Sequence, residues 1–238
     1  MPILRRAKIV ATLGPVSSDE TAIGRLLAAG ADVFRLNLSH GSHATHAATI
    51  AAVRRAAGEA GREIPVLLDL MGPRFRLGEL PSGPRTLRRG EKIALGAGPG
   101  AIDLPVDDPG FLRHLKVGER VLIDNGLVEI EVTAKRARRV AARVVHGGTV
   151  ATRKGLNLPD SKIPFTISAK DRADIEFAVI QGADFLAASY IGRAKDVEAV
   201  REVARAFGAE IPVIAKLERA AAVAHIDEIV AASDAVMV

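Results

Sequence analysis

The sequence has no cysteine. That excludes a disulfide framework and thiolate chemistry, and it permits the cytosol. Tryptophan is also absent, there is one tyrosine, and aromatics make up only 3% of the residues, so stacking platforms for single-stranded nucleic acid are not expected. No apolar run is long enough to span a bilayer, and Arg5 and Arg6 precede only a short apolar segment, not a signal-peptide core. The expectation is a soluble cytoplasmic protein with neither nucleic acid nor membrane as partner.

What is present is ordinary for a soluble globular protein. The 238 residues are 48% hydrophobic, a size that fits one large domain or one domain carrying a smaller insertion. The net charge of +5 suits anionic small molecules such as phosphates. The most basic run, Lys135-Arg-Ala-Arg-Arg139 continuing to Arg143, alternates as a β-hairpin does and reads as a solvated face.

The first part alternates strands and helices. KIVATL (Lys8–Leu13), DVFRLNL (Asp32–Leu38) and PVLLDL (Pro65–Leu70) read as strands. Between them lie helices over Asp19–Ala29, with Asp19 or Ser18 as cap, and over His43–Glu59. From about Pro73 the chain becomes rich in Gly and Pro with short alternating segments, which reads as a small all-β unit. The βα rhythm then resumes. A helix over Ser168–Gln181 has Ser168 and Asp171 in capping-box positions. A strand over Asp184–Ile191, a helix over Lys195–Phe207, a strand over Pro212–Leu217, a helix over Ala220–Ala231 and a strand over Ser233–Val238 follow. The expected division is residues 1–72 and 158–238 for the βα part and 73–157 for the insertion. Six strands with intervening helices imply right-handed parallel βαβ units. Neither a dinucleotide fingerprint nor a GxxxxGK[ST] loop is present, and Gly96-Ala-Gly98-Pro-Gly100 reads as a turn.

Polar residues gather at strand ends. Arg35, Asn37 and Ser39 share a face while the second strand lasts, Asp69 ends the third, and Lys216 with Glu218 ends the fifth. One such strand end is commonly a structural ion pair. Three of the six point to a site of the kind a parallel barrel builds at the C-terminal ends of its strands. The chemistry suggested is an oxyanion held by Arg35 and Lys216, with Glu218 as ligand to a hard metal. His40, His43 and His46 are spaced by three, but no carboxylate partner is evident nearby and a histidine metal site is not expected.

The segments KIVATLGPVSS, FRLNLSHG (Phe34–Gly41), LDLMGPRFRLG (Leu68–Gly78), LIDNGLVEIEV, TRKGLNLPDSKIPF, KDRADIEFAVIQGADFLAASYI and PVIAKLERAAAVAHIDEIVAASDAVMV resemble the pyruvate kinase family, in order and over essentially the whole chain. The resemblance implies a TIM-type (β/α)8 barrel, incomplete at its C-terminal side, interrupted after the third strand by a small β-barrel-like cap. It implies phosphoryl transfer from phosphoenolpyruvate to ADP, giving pyruvate and ATP in glycolysis, by a cytoplasmic homotetramer. Carried over by position, Arg35 would hold the substrate phosphate and Lys216 would stabilise the phosphoryl group in transfer. Asn37, Leu38, Ser39, His40 and Arg76 would lie along the nucleotide phosphates, with Lys154 reaching them from the cap. Glu218 would bind Mg2+ (or Mn2+), and Asn37, Ser39, Asp69 and Leu70 occupy the family's monovalent-cation positions. The alternatives are a metal-dependent pyruvate or enolpyruvate aldolase barrel and a non-catalytic protein that kept the fold. The chain stops before the family's second metal carboxylate, so by itself it is expected to be an inactive fragment with an open barrel.

Potassium is the point of departure. Many family members have Thr-Lys after the Asp of LDLMGPRFRLG and Glu after its Gly-Pro, and require K+. Here Leu70, Met71 and Arg74 stand at those positions, as in the branch where a fixed side-chain cation replaces the ion. The protein as encoded should therefore be nearly as active in tetramethylammonium buffer as with K+, and Arg74→Glu should create a K+ requirement. Strong K+ activation of the unmutated enzyme in a coupled assay would overturn this.

Overall fold

In the computed structural model the described residues are 6–72, 75–97, 102–136, 138–161 and 163–238. They form two compact units, Met1–Pro73 with Phe165–Val238, and Arg74–Pro164. The second unit runs past residue 157 because Leu158 is buried in its core and Ile163 packs against that core.

The first unit is a curled, parallel, six-stranded sheet with helices against it. Its strands are β1 (Val10–Leu13), β2 (Val33–Asn37), β3 (Val66–Asp69), β4 (Phe185–Ala188), β5 (Val213–Lys216) and β6 (Ala235–Met237), in spatial order β1-β2-β3-β4-β5-β6. The helices are α1 (Glu20–Ala28), α2 (His43–Glu59), α3 (Ala169–Ile180), α4 (Ala194–Ala206), α5 (Ala220–Val223) and α6 (Ile226–Ala232). The alternating pattern implied the parallel βαβ units, and the curled sheet is consistent with the incomplete TIM-type barrel that the resemblance implied.

Side-chain alternation sorts each strand into two faces. Phe34, Leu36, Val66, Leu68, Leu186, Ala188, Val213 and Ala215 pack in one hydrophobic core with Ile23 and Leu27 of α1, Val53 of α2, Ile175 of α3 and Val197 of α4. The alternate residues, among them Arg35, Asp69 and Lys216, therefore face the barrel interior. The outermost strands are exposed. Ile9 just before β1 and Val10 in it are 45% and 50% accessible, and Val236 in β6 is 43%, so apolar surface lies open along both edges.

Caps follow the sequence closely. Asp19 accepts from the Ala22 N–H at 2.9 Å to start α1, and Ser168 with Asp171 forms a reciprocal box that starts α3. The helix expected over Ala220–Ala231 is broken. The His225 N–H turns back to the Ala222 carbonyl at 3.1 Å, and His225 leaves helical geometry (φ −127°, ψ 24°), so α5 and α6 are separate. Asp19 and Ser168 each offer a short side chain to a free N–H, a local signal. The break near His225 has no Gly or Pro to mark it.

One device recurs at the N-terminal ends of the strands. Just before β2, β4 and β6 stand Asp32, Asp184 and Asp234. Each carboxylate accepts a backbone N–H at the foot of the preceding strand: Ile9 at 2.8 Å, Val66 at 2.7 Å and Val213 at 2.8 Å. Each aspartate N–H returns a bond to the carbonyl of that same residue, at 2.9, 3.0 and 3.0 Å. Three identical rings thus tie the strands in pairs. The sequence signal is Gly30-Ala-Asp32 repeated as Gly182-Ala-Asp184 and echoed as Ala232-Ser-Asp234.

The second unit is a sheet in the order Phe75–Arg76, Gly155–Asn157, Arg120–Ile123, Val128–Arg136, Arg139–His146, Lys92–Gly96 and Leu104–Pro105. A separate pair joins Arg85–Leu87 to Gly148–Val150. Phe111, Leu115, Val121, Ile130, Val140 and Val144 fill its core. The basic run lies on the Val128–Arg136 and Arg139–His146 hairpin. There Arg143 pairs with Glu131 at 2.9 Å, and Lys135 donates to the Arg113 and Leu115 carbonyls, which fits a solvated face. Of Gly96-Ala-Gly98-Pro-Gly100, the last three residues lie outside the described residues.

Burial opposes the ionisation of Asp234, but its hydrogen bonds from Arg201 and the Val213 N–H outweigh that and hold its pKa below the ordinary carboxylate value. Asp103 in the second unit behaves alike, with burial opposed by Arg85 and the Ala94 N–H. A depressed carboxylate adds stability that is complete above its unfolded pKa, about 3.9, and is lost as pH falls toward the folded value. Thermal stability should thus hold from about pH 7 to about pH 5 and drop below about pH 4. Asp234→Asn should lower the plateau and flatten the acid limb. An unchanged acid limb in melts followed by circular dichroism would remove Asp234 from that account.

Candidate active site

Asp69, the last residue of β3, is 2% exposed. A carboxylate so buried requires counter-charges, and two reach it. From β2, Arg35 donates through Nε at 2.9 Å and through Nη2, both to Asp69 Oδ2. From β5, Lys216 Nζ lies 3.2 Å from Oδ1 and 3.3 Å from Oδ2. Strand register explains the meeting. Arg35 pairs with Leu67, two residues before Asp69 on the same face, and Ala187 of β4, in register with Asp69, keeps that position small.

Each cation has further partners. Arg35 Nη1 donates to Thr12 Oγ1 on β1 at 2.9 Å. Lys216 Nζ donates to Ser189 Oγ at 2.9 Å and lies 3.1 Å from Glu218 Oε1. Ser189 is 1% exposed and passes its own proton to the Leu70 carbonyl at 2.8 Å. Glu218 Oε2 accepts the Tyr190 N–H at 3.0 Å, and Tyr190 sits in the left-handed region at φ 62°. A side-chain-bearing residue there is strained, the kind of backbone found where a site dictates geometry. Gly72, at φ 65°, leads the chain away from β3, and a Cβ there would come within 2.9 Å of the Ser189 carbonyl oxygen. That position accepts only glycine.

Arg35, Asp69, Lys216 and Glu218 therefore meet at the C-terminal ends of their strands. Lys216 and Glu218 do touch, although β5 ends at Lys216. The 37–40 segment follows β2 directly. Asn37 Oδ1 accepts the Ser39 N–H at 2.9 Å, and the Asn37 carbonyl accepts the His40 N–H at 3.3 Å. Ser39 has thus left the strand and turned back. Leu38 and Leu70 are buried, and their oxygens take bonds from Lys170 and Ser189. Arg76 and Lys154 belong to the second unit and are neighbours there. Arg76 donates to the Arg153 carbonyl at 3.1 Å, and Lys154 pairs with Asp124 at 2.8 Å. Arg74 lies outside the described residues.

The family model for pyruvate kinase, barrel domain, matches residues 4–238. This chain belongs to the pyruvate kinase family. It is 40% identical over 98% of its length to a pyruvate kinase of Geobacillus stearothermophilus, covering 41% of that protein. It is 41% identical over 98% of its length to one of Mycobacterium intracellulare and 39% identical to one of Agrobacterium vitis, covering 50% of each. The chain spans about half the length of the pyruvate kinases it matches. Family membership sets the aldolase-type barrel aside.

The pyruvate kinase family generally requires a divalent metal. Among the described residues no three His, Asp or Glu side chains come together as a metal-holding group. Glu218 offers one carboxylate already bonded to Lys216 and the Tyr190 N–H, and Asp69 is committed to two cations. These residues alone do not fit a Mg2+ ion, which needs several oxygen donors in near-octahedral array.

The sequence reading missed Thr12, Ser189 and Tyr190. A hydroxyl closing the apolar strand FLAAS was the available signal for Ser189. It also missed a carboxylate for the histidines, because Asp174, 2.7 Å from His43 Nε2, is 131 residues away in sequence.

Because one anion serves two cations, removing it should cost more than removing either partner. Asp69→Ala should destabilise the chain by about 3–5 kcal/mol, leaving Arg35 and Lys216 facing each other. Lys216→Met, which leaves Asp69 paired with Arg35, should cost clearly less. Urea unfolding of both variants checks the ranking, and equal losses would contradict it.

Proposed function

We propose that this chain provides the phosphoryl-handling part of an enzyme that transfers phosphate from phosphoenolpyruvate to ADP, giving pyruvate and ATP. The observation that carries the reading is the Arg35–Asp69–Lys216 constellation, two cations held on one buried carboxylate at the barrel's strand ends. Arg35 keeps 23% of its side chain accessible, enough for a phosphate oxygen to approach while Asp69 fixes the guanidinium plane. Lys216 is 6% exposed, and a poorly hydrated ammonium interacts strongly with charge that develops on a phosphoryl group in transfer. Ser189 and Asp69 hold that ammonium in advance, so little reorganisation accompanies the reaction. Segment 37–40 would lie along the nucleotide phosphates.

Glu218 would offer a carboxylate to a divalent metal, which would supply charge neutralisation at the site, but the described residues do not by themselves complete a place for it. The whole protein is read as a cytoplasmic homotetramer. Among the described residues no helix is long and apolar enough to cross a membrane.

The experiment is transfer of isotope from labelled phosphoenolpyruvate to ADP by the protein as encoded, including any sequence beyond Val238. Transfer is expected from the kinase and not from a protein that kept only the fold. Lys216→Ala should lower kcat by about 10²–10³-fold with KM little changed, because its interaction strengthens in the transition state. An effect confined to KM would argue against that role.

A further inference from the structure

The segment that follows β2 is held from outside the site. Helix α3 presents Lys170, Asp174 and Phe177, spaced by four and then three residues and hence on one face. All three meet the 38–43 stretch. Lys170 Nζ donates to the Leu38 carbonyl at 2.9 Å and to Asp174 Oδ2. Asp174 Oδ1 accepts from His43 Nε2 at 2.7 Å, in the tautomer that donates from that nitrogen. The His43 ring stacks on Phe177, with centroids 4.4 Å apart and planes 9° from parallel.

Asp174 is 1% exposed, whereas Lys170 and His43 each keep nearly half of their side chains accessible. A buried carboxylate with one oxygen committed to each partner is costly to leave unmatched, so it fixes both. The loop is thus gripped at its first residue and at the start of α2. Between those points Gly41 adopts φ 76°, a Cβ there would crowd Thr45 and His46, and the His46 ring bonds the His40 carbonyl at 2.7 Å. From β2 itself, Asn37 ties the Ser39 and His40 N–H groups, and the α3 contacts add a hold from outside the strand.

We infer that Lys170, Asp174 and His43 are positioning residues that set the 38–42 loop against the nucleotide phosphates. They act through Leu38, Ser39 and His40 and touch no reacting atom. The inference rests on the reading that this loop carries the nucleotide.

Two measurements on the protein as encoded separate the inference from that reading. Amide hydrogen exchange at residues 38–42 should quicken in Asp174→Asn and in Lys170→Met, whose side chain is half exposed and whose loss leaves the core intact. Exchange in β3 and β4 should stay unchanged. In the steady state the KM for ADP should rise about ten- to hundredfold, the scale that loss of positioning costs, while the KM for phosphoenolpyruvate holds within about twofold. Lys170→Arg, which can make both bonds, should restore the KM for ADP. Unchanged exchange at 38–42 would overturn the grip whatever the activity, and equal rises in both KM values would overturn the positioning role. Quickened exchange in a protein whose wild type transfers no phosphate would support the grip and count against the nucleotide reading.

Discussion

A carboxylate almost wholly removed from water at the end of β3 governs this half-barrel. A carboxylate so placed needs counter-charges, and Arg35 and Lys216 reach Asp69 from strands on either side. The two cations would repel one another unless that anion stood between them. Either group alone in the barrel interior would be an uncompensated charge. Together they make a preset field for an incoming phosphate. Stability and chemistry thus draw on one contact, and the rest of the site (Thr12, Ser189, Glu218, the strained Tyr190) serves to aim its members.

The two-faced strand makes this possible. One face carries the aliphatic residues that pack under α1 to α4, and supplies most of the burial that holds the sheet. The other face is thereby relieved of packing duty and accepts Arg35, Asp69 and Lys216. The exposed apolar residues at β1 and in β6 show the reverse situation, where packing surface has no neighbour among the described elements.

Much of this was readable in the chain because it is local. Strand and helix order, the caps at Asp19 and Ser168, and the onset of the β-rich insertion are written in alternation, capping residues and Gly/Pro density. The polar residues Arg35, Asp69, Lys216 and Glu218 stood out because an apolar strand has no use for them. Their meeting could be inferred from topology, but the allocation of both cations to Asp69 could not. It depends on register across β2 to β5, which sequence spacing does not encode. The Asp174–His43 contact escaped for the same reason, and the break at His225 because no helix-breaking residue announces it. The aspartate repeat was visible and passed over, since a lone Asp before a strand reads as an ordinary turn residue.

That repeat bears on where the fold can be interrupted. The rings at Asp32, Asp184 and Asp234 couple β1 to β2, β3 to β4 and β5 to β6, so the sheet consists of three sewn pairs. The second unit enters within the middle pair, between β3 and β4, at the C-terminal end of β3. The stitch for that pair, between Asp184 and Val66, lies at the opposite end of the strands. The pair is therefore fastened by its own hem and asks nothing of the segment that joins it. A connection of any length and shape can leave from the other end, which is how a barrel of this kind tolerates a whole domain threaded between two adjacent strands.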